Sequence, residues 1–492
     1  MGGYGTQGCP SPRYRTGGVI GISARTTRGL TISGLVALCM FTALALALGY
    51  ANKARCTGPL YDEWGRSEPA YQERAYGDVC YSDIQNLWIG RDIDRHVFPY
   101  VNGGIAADGT LYGGVVEYPV LTGVLIWLGA MFAHTDAGFL AASALLMTPF
   151  GLAVAWWLGR LSGWRALLWA LSPPLVLYAF HNWDLPVVAC AAGAVFVVHR
   201  WTSASLRRRA TAAAVLFGLG FALKLYPALF VLPLALYVLT EGRGEARRFD
   251  VRGALQVVGA AVGTAVLANL PFMLAGFGGW LASFDFQSRR QVDISTNSVW
   301  YWGFRHWTDS EGFQSAMGVV SPLLILLSFA VACAVGWLRY ERAGTYPWIQ
   351  VSAAMLCGFL LLHKVHSPQY TLWLLPFFVL VSVRWGWIVA YLVADVAMGI
   401  SIFRWFYLNM SGLPGGIHDG FTAQALMIGV WGRAALLVGL FVAFLAARST
   451  VDDLGPGGPS GAARALPDLA DHDVPISTPG NGDQRGRSRW AR

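Results

Sequence analysis

The chain has 492 residues, 55% of them hydrophobic and 13% charged, with 21 tryptophans. A mean hydropathy of +0.46 excludes an ordinary soluble domain. The formal net charge of +8 would suggest nucleic acid in a soluble protein. Here the arginines sit in short stretches between apolar runs, where they orient helices in a membrane, so no nucleic-acid partner is expected.

Segment after segment reaches the roughly 17 to 25 apolar residues that cross a bilayer. The pattern predicts an all-α, polytopic integral membrane protein of about 12 transmembrane helices, with juxtamembrane or re-entrant helices in the first outer loop. Residues 1–29 carry Arg13, Arg15, Arg25 and Arg28 and no acid. They read as a basic cytoplasmic tail, ahead of a membrane domain over residues 30–447. Residues 30–50 cross outward. Their apolar run of about 20 exceeds the 7 to 15 of a signal-peptide core, so it reads as a retained anchor.

Residues 51–117 then form a large outer loop rich in acids and aromatics. The next apolar run, 116–132, is only about 17 residues long, at the lower limit for spanning. Counting it as a crossing would put Arg160, Arg165 and the Arg207-Arg208-Arg209 cluster outside, so it is read as re-entrant. Residues 137–158 run inward and 166–180 outward to His181-Asn182-Trp183-Asp184; 185–198 return to the arginine cluster. Between that cluster and Arg243, Arg247, Arg248 and Arg252, two short apolar halves meet at Lys224-Leu225-Tyr226-Pro227. This places Lys224 at an outward tip covered by protein or a water-filled cavity.

Residues 254–274 lead to a second outer loop, 276–317, carrying Asp285, Arg289, Arg290, Trp300, Tyr301, Trp302 and Arg305. Residues 318–338 return, 349–362 lead out to the polar turn His363 to Tyr370, and 372–383 come back to Arg384. The last pair, 386–403 and 425–447, carries Asp395 and Arg433 near mid-helix, where they can pair. Residues 448–492 read as a disordered cytoplasmic tail.

Of seven cysteines only Cys56 and Cys80 fall in a long polar loop. If that loop is extracytoplasmic they can form a disulfide; otherwise they are two free thiols. No CxxC or His/Cys spacing suggests zinc.

Asp83 is the leading catalytic candidate, followed by Trp88, Asp92, Asp94 and then Glu117-Tyr118-Pro119. Transfer of a sugar to a hydroxyl needs a carboxylate to take its proton, and sugar rings need aromatic faces. The same residues would serve equally as a solvated acidic loop. Asn182 and Asp184 interrupt an apolar helix pair, as an ordinary turn or as a functional one. Lys224, Arg289, Arg290, His363, Lys364 and His366 are cations on the outer side, where the charge bias disfavours them. An anion such as a lipid phosphate explains them, as does snorkelling of helix ends.

Five motifs in order carry a family resemblance: Tyr81-Ser82-Asp83-Ile84 with Glu117-Tyr118-Pro119; Leu171-Ser172-Pro173-Pro174 with Asn182-Trp183-Asp184; Ala222-Leu223-Lys224-Leu225-Tyr226-Pro227; Asn297-Ser298-Val299-Trp300; and Ser367-Pro368-Gln369-Tyr370 through Pro376. The chain resembles the polyprenyl-phosphate-sugar-dependent membrane glycosyltransferases of the GT-C superfamily, most closely glycosyltransferase family 87, the actinobacterial mannosyltransferase group. The resemblance implies Asp83 as the catalytic base, with the Asp62-Glu63 pair as the alternative. It implies donor-phosphate contacts from the cation set, and sugar or acceptor contacts from Trp88, Glu117, Tyr118, Asn182, Asp184 and Trp300. It further implies a polyprenyl-phosphate-mannose donor, a lipid or glycan acceptor, inversion, no metal or cofactor, and a plasma-membrane enzyme working on the extracytoplasmic side. The competing readings are a flippase or transporter of lipid-linked sugars and a pentosyltransferase of the same fold.

Overall fold

The computed structural model describes residues 30–241 and 249–451. The basic N-terminal tail, Arg243, Arg247 and Arg248, and residues 452–492 lie outside the described residues. Among the described residues six helical stretches are long and apolar enough to cross a membrane, which makes the chain a multi-pass membrane protein. Eighteen α-helices occur among the described residues. The order begins with α1 (Ile32–Ala54), α2 (Tyr71–Gly77), α3 (Asp83–Gly90), α4 (Val120–Ala130) and α5 (Asp136–Ser162). It continues with α6 (Leu167–Ala170), α7 (Pro173–Tyr178), α8 (Leu185–Arg200), α9 (Leu206–Leu223) and α10 (Val231–Glu241). Then come α11 (Val251–Ala275), α12 (Phe277–Arg289), α13 (Val299–Phe304) and α14 (Glu311–Ala343). The last four are α15 (Trp348–Leu362), α16 (Thr371–Leu380), α17 (Trp385–Met410) and α18 (Phe421–Ala446).

Side-chain caps mark where the long helices start: Thr31 accepts from the Gly34 amide, Thr135 from Gly138, Asp250 from Gly253 and Ser310 from Phe313. The apolar run after the first loop yields only the 11-residue α4. At 1.5 Å per residue it rises about 16 Å, roughly half a hydrocarbon core. The stretch expected as one crossing over 166–180 is broken into α6 and α7 at Leu171-Ser172. Pro173-Pro174 explains the break, since proline lacks the N–H that would continue a helix and disfavours the α conformation before it. The loop expected over 276–317 is largely helical, holding α12 and α13 and the first turns of α14.

The expected tail from residue 448 is ordered for its first four residues. Arg448 accepts from the Ser382 amide, Thr450 donates to the Leu380 carbonyl, and its hydroxyl meets Ser162 at 2.8 Å. The amide and hydroxyl of Thr450 thus satisfy the Leu380 and Val379 carbonyls left open where α16 ends.

The first loop is built from small pieces anchored to the helices. Strands β1 (Leu60–Tyr61) and β2 (Ser67–Glu68) pair antiparallel, as do β3 (Gly104–Ile105) and β4 (Leu111–Tyr112). Buried Asp136 at the start of α5 accepts from the Ser67 hydroxyl at 2.6 Å and the Ser67 amide at 3.0 Å, with Arg66 at 3.4 Å. Gly65 lies where a Cβ would stand 2.2 Å from the His134 carbonyl, at φ +75°, so only glycine lets the hairpin sit this close. Cys56 and Cys80 are joined as a disulfide, with their Cα atoms 6.2 Å apart.

At the other end of the chain α17 and α18 pack with Gly429 against Met398, where a Cβ would approach backbone nitrogen to 2.5 Å. Asp395 and Arg433 face each other across this contact at 3.6 Å, both buried, and Thr371 also donates to Asp395. Removing one partner of such a pair leaves an uncompensated buried charge, whereas replacing both does not. Arg433→Leu is therefore expected to destabilise the protein by about 3 kcal/mol or more. The double change Asp395→Leu with Arg433→Leu should recover most of that loss, as read from thermal unfolding in detergent.

Candidate active site

Asp83 opens α3, and the turn before α8 sets its position. Its amide donates to the His181 carbonyl at 2.8 Å, and Ser82, the residue capping α3, donates its hydroxyl to the Phe180 carbonyl at 2.7 Å. The carboxylate is then gripped at both oxygens. Tyr81 donates its hydroxyl to Oδ1 at 2.9 Å and Asn182 donates Nδ2 to Oδ2 at 2.6 Å. The amide orientation of Asn182 is fixed because its Oδ1 accepts from the Trp183 amide at 2.6 Å. The same Nδ2 reaches the Tyr118 hydroxyl at 2.7 Å. Burial above all, and then the charge of Asp83, push the Tyr81 and Tyr118 hydroxyls well above the usual phenol range. Both stay protonated; Tyr81 donates to the carboxylate, and the Tyr118 hydroxyl accepts from Asn182.

Asp83 lines a cavity of about 1090 Å³. One wall is aromatic: Tyr76 and Tyr81 stack at 5.5 Å, Tyr81 and Phe403 at 5.4 Å, and Phe406 packs on Tyr76. A second wall is a three-ring pile in which Trp373 lies between Tyr226 at 4.1 Å and Tyr370 at 3.9 Å. A third is polar, made by the end of α12 and the turn after α15, with Arg290, His363 and Lys364. The β3–β4 hairpin lines the same space through Ile105, Ala107, Asp108 and Gly109.

The structure brings together Asp83, Glu117, Tyr118, Asn182, Lys224, Arg289, Arg290, His363 and Lys364, all of which line this cavity. Their states differ. Lys224 does not stand as an isolated cation at a tip: it pairs with buried Asp184 at 2.7 Å, inside a ring of Tyr118, Tyr370 and Trp373. Asp184 is spent on that pair and on the Trp373 indole at 2.7 Å, and it does not reach the cavity wall. Glu117 pairs with Arg91 at 2.8 Å, and Arg289 with Asp285 one turn back at 2.6 Å.

Arg290 and Lys364 form no ion pair among the described residues. Between them, His363 is lowered to about 4, by desolvation first and by the Lys364 and Arg290 charges as well, so its ring is neutral at pH 7.

Besides Asp184, five of the expected site residues do not line this cavity. Trp88 is a core side chain, 1% exposed, whose indole donates to the Trp64 carbonyl while its ring packs on Phe139. Trp300 donates to the Leu362 carbonyl and does not line the cavity. His366 is turned inward, its Nδ1 on the Leu360 carbonyl. Asp62 and Glu63 lie off the cavity at the β1–β2 turn, where Asp62 accepts from the Trp64 and Arg66 amides.

Sequence reasoning missed Tyr81, Tyr370, Trp373 and the two phenylalanines of α17 as lining residues. For Tyr81 the signal was its place two residues before Asp83. The phenylalanines sit in an apolar run that gives no sign of which face it presents.

Among solved structures, the chain is similar to ArnT from Cupriavidus metallidurans bound to undecaprenyl phosphate. The identity is 16% over 84% of this chain and 77% of that one, with a TM-score of 0.39. The model of glycosyltransferase family 87 matches residues 117–368, a stretch that takes in Glu117, Tyr118, the Asn182 turn, Lys224, Arg290 and the His363-Lys364 turn. With half of its length matched, and with the residues of that stretch converging on one cavity beside Asp83, the chain belongs to glycosyltransferase family 87.

Proposed function

We propose that the protein transfers a sugar, mannose in the first instance, from a polyprenyl-phosphate-linked donor to a hydroxyl of a lipid, glycolipid or glycan acceptor. Transfer takes place on the extracytoplasmic face of the plasma membrane, with inversion and without a metal. The observation that carries this reading is one cavity holding both a doubly hydrogen-bonded carboxylate, Asp83, and an unpaired cation pair, Arg290 and Lys364. Asp83 takes the acceptor proton as the acceptor oxygen attacks the anomeric carbon. The carbon–oxygen bond to the phosphate breaks on the opposite face, and the electron pair leaves with the polyprenyl phosphate. Arg290, Lys364 and the intervening His363 receive the phosphate, the aromatic wall of Tyr76, Phe403 and Phe406 suits the first prenyl units, and the Tyr226–Trp373–Tyr370 pile offers a flat face for a sugar.

The outer placement is supported by the Cys56–Cys80 disulfide, since such bonds persist in oxidising compartments. Thiols introduced as Gly109→Cys and His134→Cys should both react with a membrane-impermeant maleimide added to intact cells. Reaction of either one only after the cytoplasm is opened would overturn this topology.

The base is tested by Asp83→Asn, which keeps the shape and cannot take a proton. Turnover of donor should fall about 100- to 10,000-fold, with donor binding retained, while Asp62→Asn and Glu63→Gln stay near wild type. A variant that still releases polyprenyl phosphate at the wild-type rate rejects Asp83 as the base.

The phosphate site makes a separate prediction. Arg290→Gln and Lys364→Gln should each weaken donor binding about tenfold or more, the loss of one charge-assisted bond. Lys224→Met should instead lower thermal stability, because it strands Asp184 without its cation. Donor titrations alongside unfolding midpoints separate the two effects.

A further inference from the structure

One face of α3 is given over to the cavity. Asp83, Asn86, Leu87 and Gly90 recur at helical spacing and all line it, while Ile84, Gln85 and Trp88 are buried in the protein. From Asp83 to Gly90 this face rises about 10 Å. Asn86 meets its protein neighbours through its backbone, its N–H donating to the Ser82 carbonyl and its carbonyl accepting from Arg66. Its side-chain amide, which could donate twice and accept, bonds no group among the described residues. Gly90 is exposed at the end of the helix. A Cβ there would meet no atom within 4 Å, and its φ lies outside the left-handed region. Neither crowding nor backbone conformation calls for glycine at this place. What the missing side chain leaves is open space, beside a helix end tied to the β3–β4 hairpin by the Gly113 amide, which donates to Asp92 at 2.9 Å.

The hairpin carries the second open polar group. At its tip Asp108 accepts from the Thr110 amide with Oδ1 at 2.9 Å, while its other oxygen has no partner among the described residues. The charges on this side of the cavity disfavour an anion. Asp83 and Asp108 have no cation partner among the described residues, and Arg91, next after Gly90, is taken up by Glu117 at 2.8 Å. The cations of the phosphate wall stand apart. The segment leading into the hairpin packs on the first turn of α12, where a Cβ at Gly279 would stand 2.2 Å from the Tyr100 carbonyl; Arg290 follows the last turn of that helix, about 16 Å further along. A neutral ligand rich in hydroxyls suits such a surface. Each hydroxyl both donates and accepts, so a ring of them can bond the Asn86 amide and the Asp108 oxygen, and its C–H faces can lie on Leu87, Ile105 and Ala107.

We propose that the groove along α3 is the acceptor site, and that the acceptor presents a polyhydroxylated ring, a sugar or another polyol ring, instead of the lone hydroxyl of a lipid or a protein side chain. This rests on the reading of Asp83 as the base, because the groove starts at that carboxylate. The reacting hydroxyl lies at Asp83, and the rest of the acceptor extends past Asn86 and Gly90 toward the hairpin. The hydroxyl gives its proton to Asp83, its oxygen forms the new bond to the anomeric carbon, and the polyprenyl phosphate leaves with the electron pair of the bond that breaks.

The test uses the full-length enzyme with synthetic polyprenyl-phosphate-mannose labelled in the sugar, following label in product and release of polyprenyl phosphate. Two acceptor probes come from cell envelopes, a solvent-extracted glycolipid fraction and a water-soluble glycan fraction, each used intact and after periodate oxidation that is quenched before the assay. A peptide with internal serine and threonine is the third probe. Periodate cleaves the bond between carbons bearing neighbouring hydroxyls and spares lone ones. Transfer should occur to an intact fraction and disappear after periodate, and the fraction that accepts shows whether the ring is carried on a lipid or in a soluble glycan. Gly90→Leu should raise the acceptor KM about tenfold or more by filling the groove. Asn86→Leu should raise it about two- to tenfold by removing the amide. In both, donor binding should change less than about twofold with kcat held, while Gly90→Ala stays close to wild type.

Transfer that survives periodate, transfer to the peptide instead, or transfer to neither intact fraction overturns the proposal. So does a wild-type acceptor KM in Gly90→Leu, or an equal weakening of donor and acceptor. If Gly90→Leu does not fold, Asn86→Leu decides by the same criteria, and failure of both to fold overturns the groove, because neither position would then be open. An inactive Asp83→Asn beside a Gly90→Leu of wild-type acceptor KM rejects the groove alone, whereas an Asp83→Asn that turns over at the wild-type rate rejects the base itself.

Discussion

The arrangement depends on one clamp: the Asp83 carboxylate held between Tyr81 from its own segment and Asn182 from a turn 99 residues away. Neither partner could place the acid alone. Tyr81 precedes it on a loop with little regular structure, and the eight-residue α3 is too short to be stable by itself. The clamp works because α3 is fastened to the α7–α8 turn by three backbone-directed bonds, from the Ser82 hydroxyl to Phe180 and His181 and from the Asp83 amide to His181. That turn exists because Pro173-Pro174 and then Pro186 break what would otherwise be one apolar hairpin. Breaks in membrane helices thus do here what a rigid loop does in a soluble enzyme: they bring backbone carbonyls and an amide side chain to the wall of a cavity.

A second buried carboxylate, Asp184, organises the neighbouring wall without entering the cavity. It holds the Lys224 ammonium and the Trp373 indole on one oxygen, each at 2.7 Å. Trp373 is thereby locked between Tyr226 and Tyr370, and three rings from separate segments form one flat surface. Two aspartates with one residue between Asn182 and Asp184 in the chain's turn thus take different tasks. Asp83 faces the cavity through hydrogen bonds that leave it reachable, and Asp184 is completely buried and spent on fixing its surroundings.

How far the sequence could be read follows from what each signal reports. The all-helical membrane architecture was legible because apolar length and arginine placement act locally and repeat along the chain. Asp395 and Arg433 could be matched because opposite charges at similar depth in adjacent helices have few other places to go. Cys56 and Cys80 could be matched because they are the two cysteines of the long polar loop. The tryptophans were misread for a physical reason. Trp88 and Trp300 look like sugar platforms in a polar loop, but each has an indole N–H that found a backbone carbonyl, while the Trp88 ring fills the core and the half-buried Trp300 ring stacks on Phe304. Periodicity cannot tell a ring that lines a cavity from one that fills a core, and the pile around Trp373 sits in an apolar motif for the same reason.

The pairing of charges also explains why a cavity with so many polar side chains can be selective. Glu117, Arg91, Asp285, Arg289, Asp184 and Lys224 neutralise one another in pairs. Such pairs put charges on or just behind the cavity wall without attracting an ion strongly, because each charge already has its partner. What stays without an ion pair among the described residues is Arg290 with Lys364 on one wall and Asp83 on another. An anion is drawn to the first wall and repelled by the carboxylate of the second. A ligand carrying a phosphate at one end and an electrophilic carbon at the other is therefore oriented by charge alone, its phosphate away from Asp83 and its carbon toward the hydroxyl that Asp83 would deprotonate. The aromatic wall adds no charge and cannot reverse that orientation. It can hold apolar chain, which is what a phosphate esterified to a long prenyl group would bring with it.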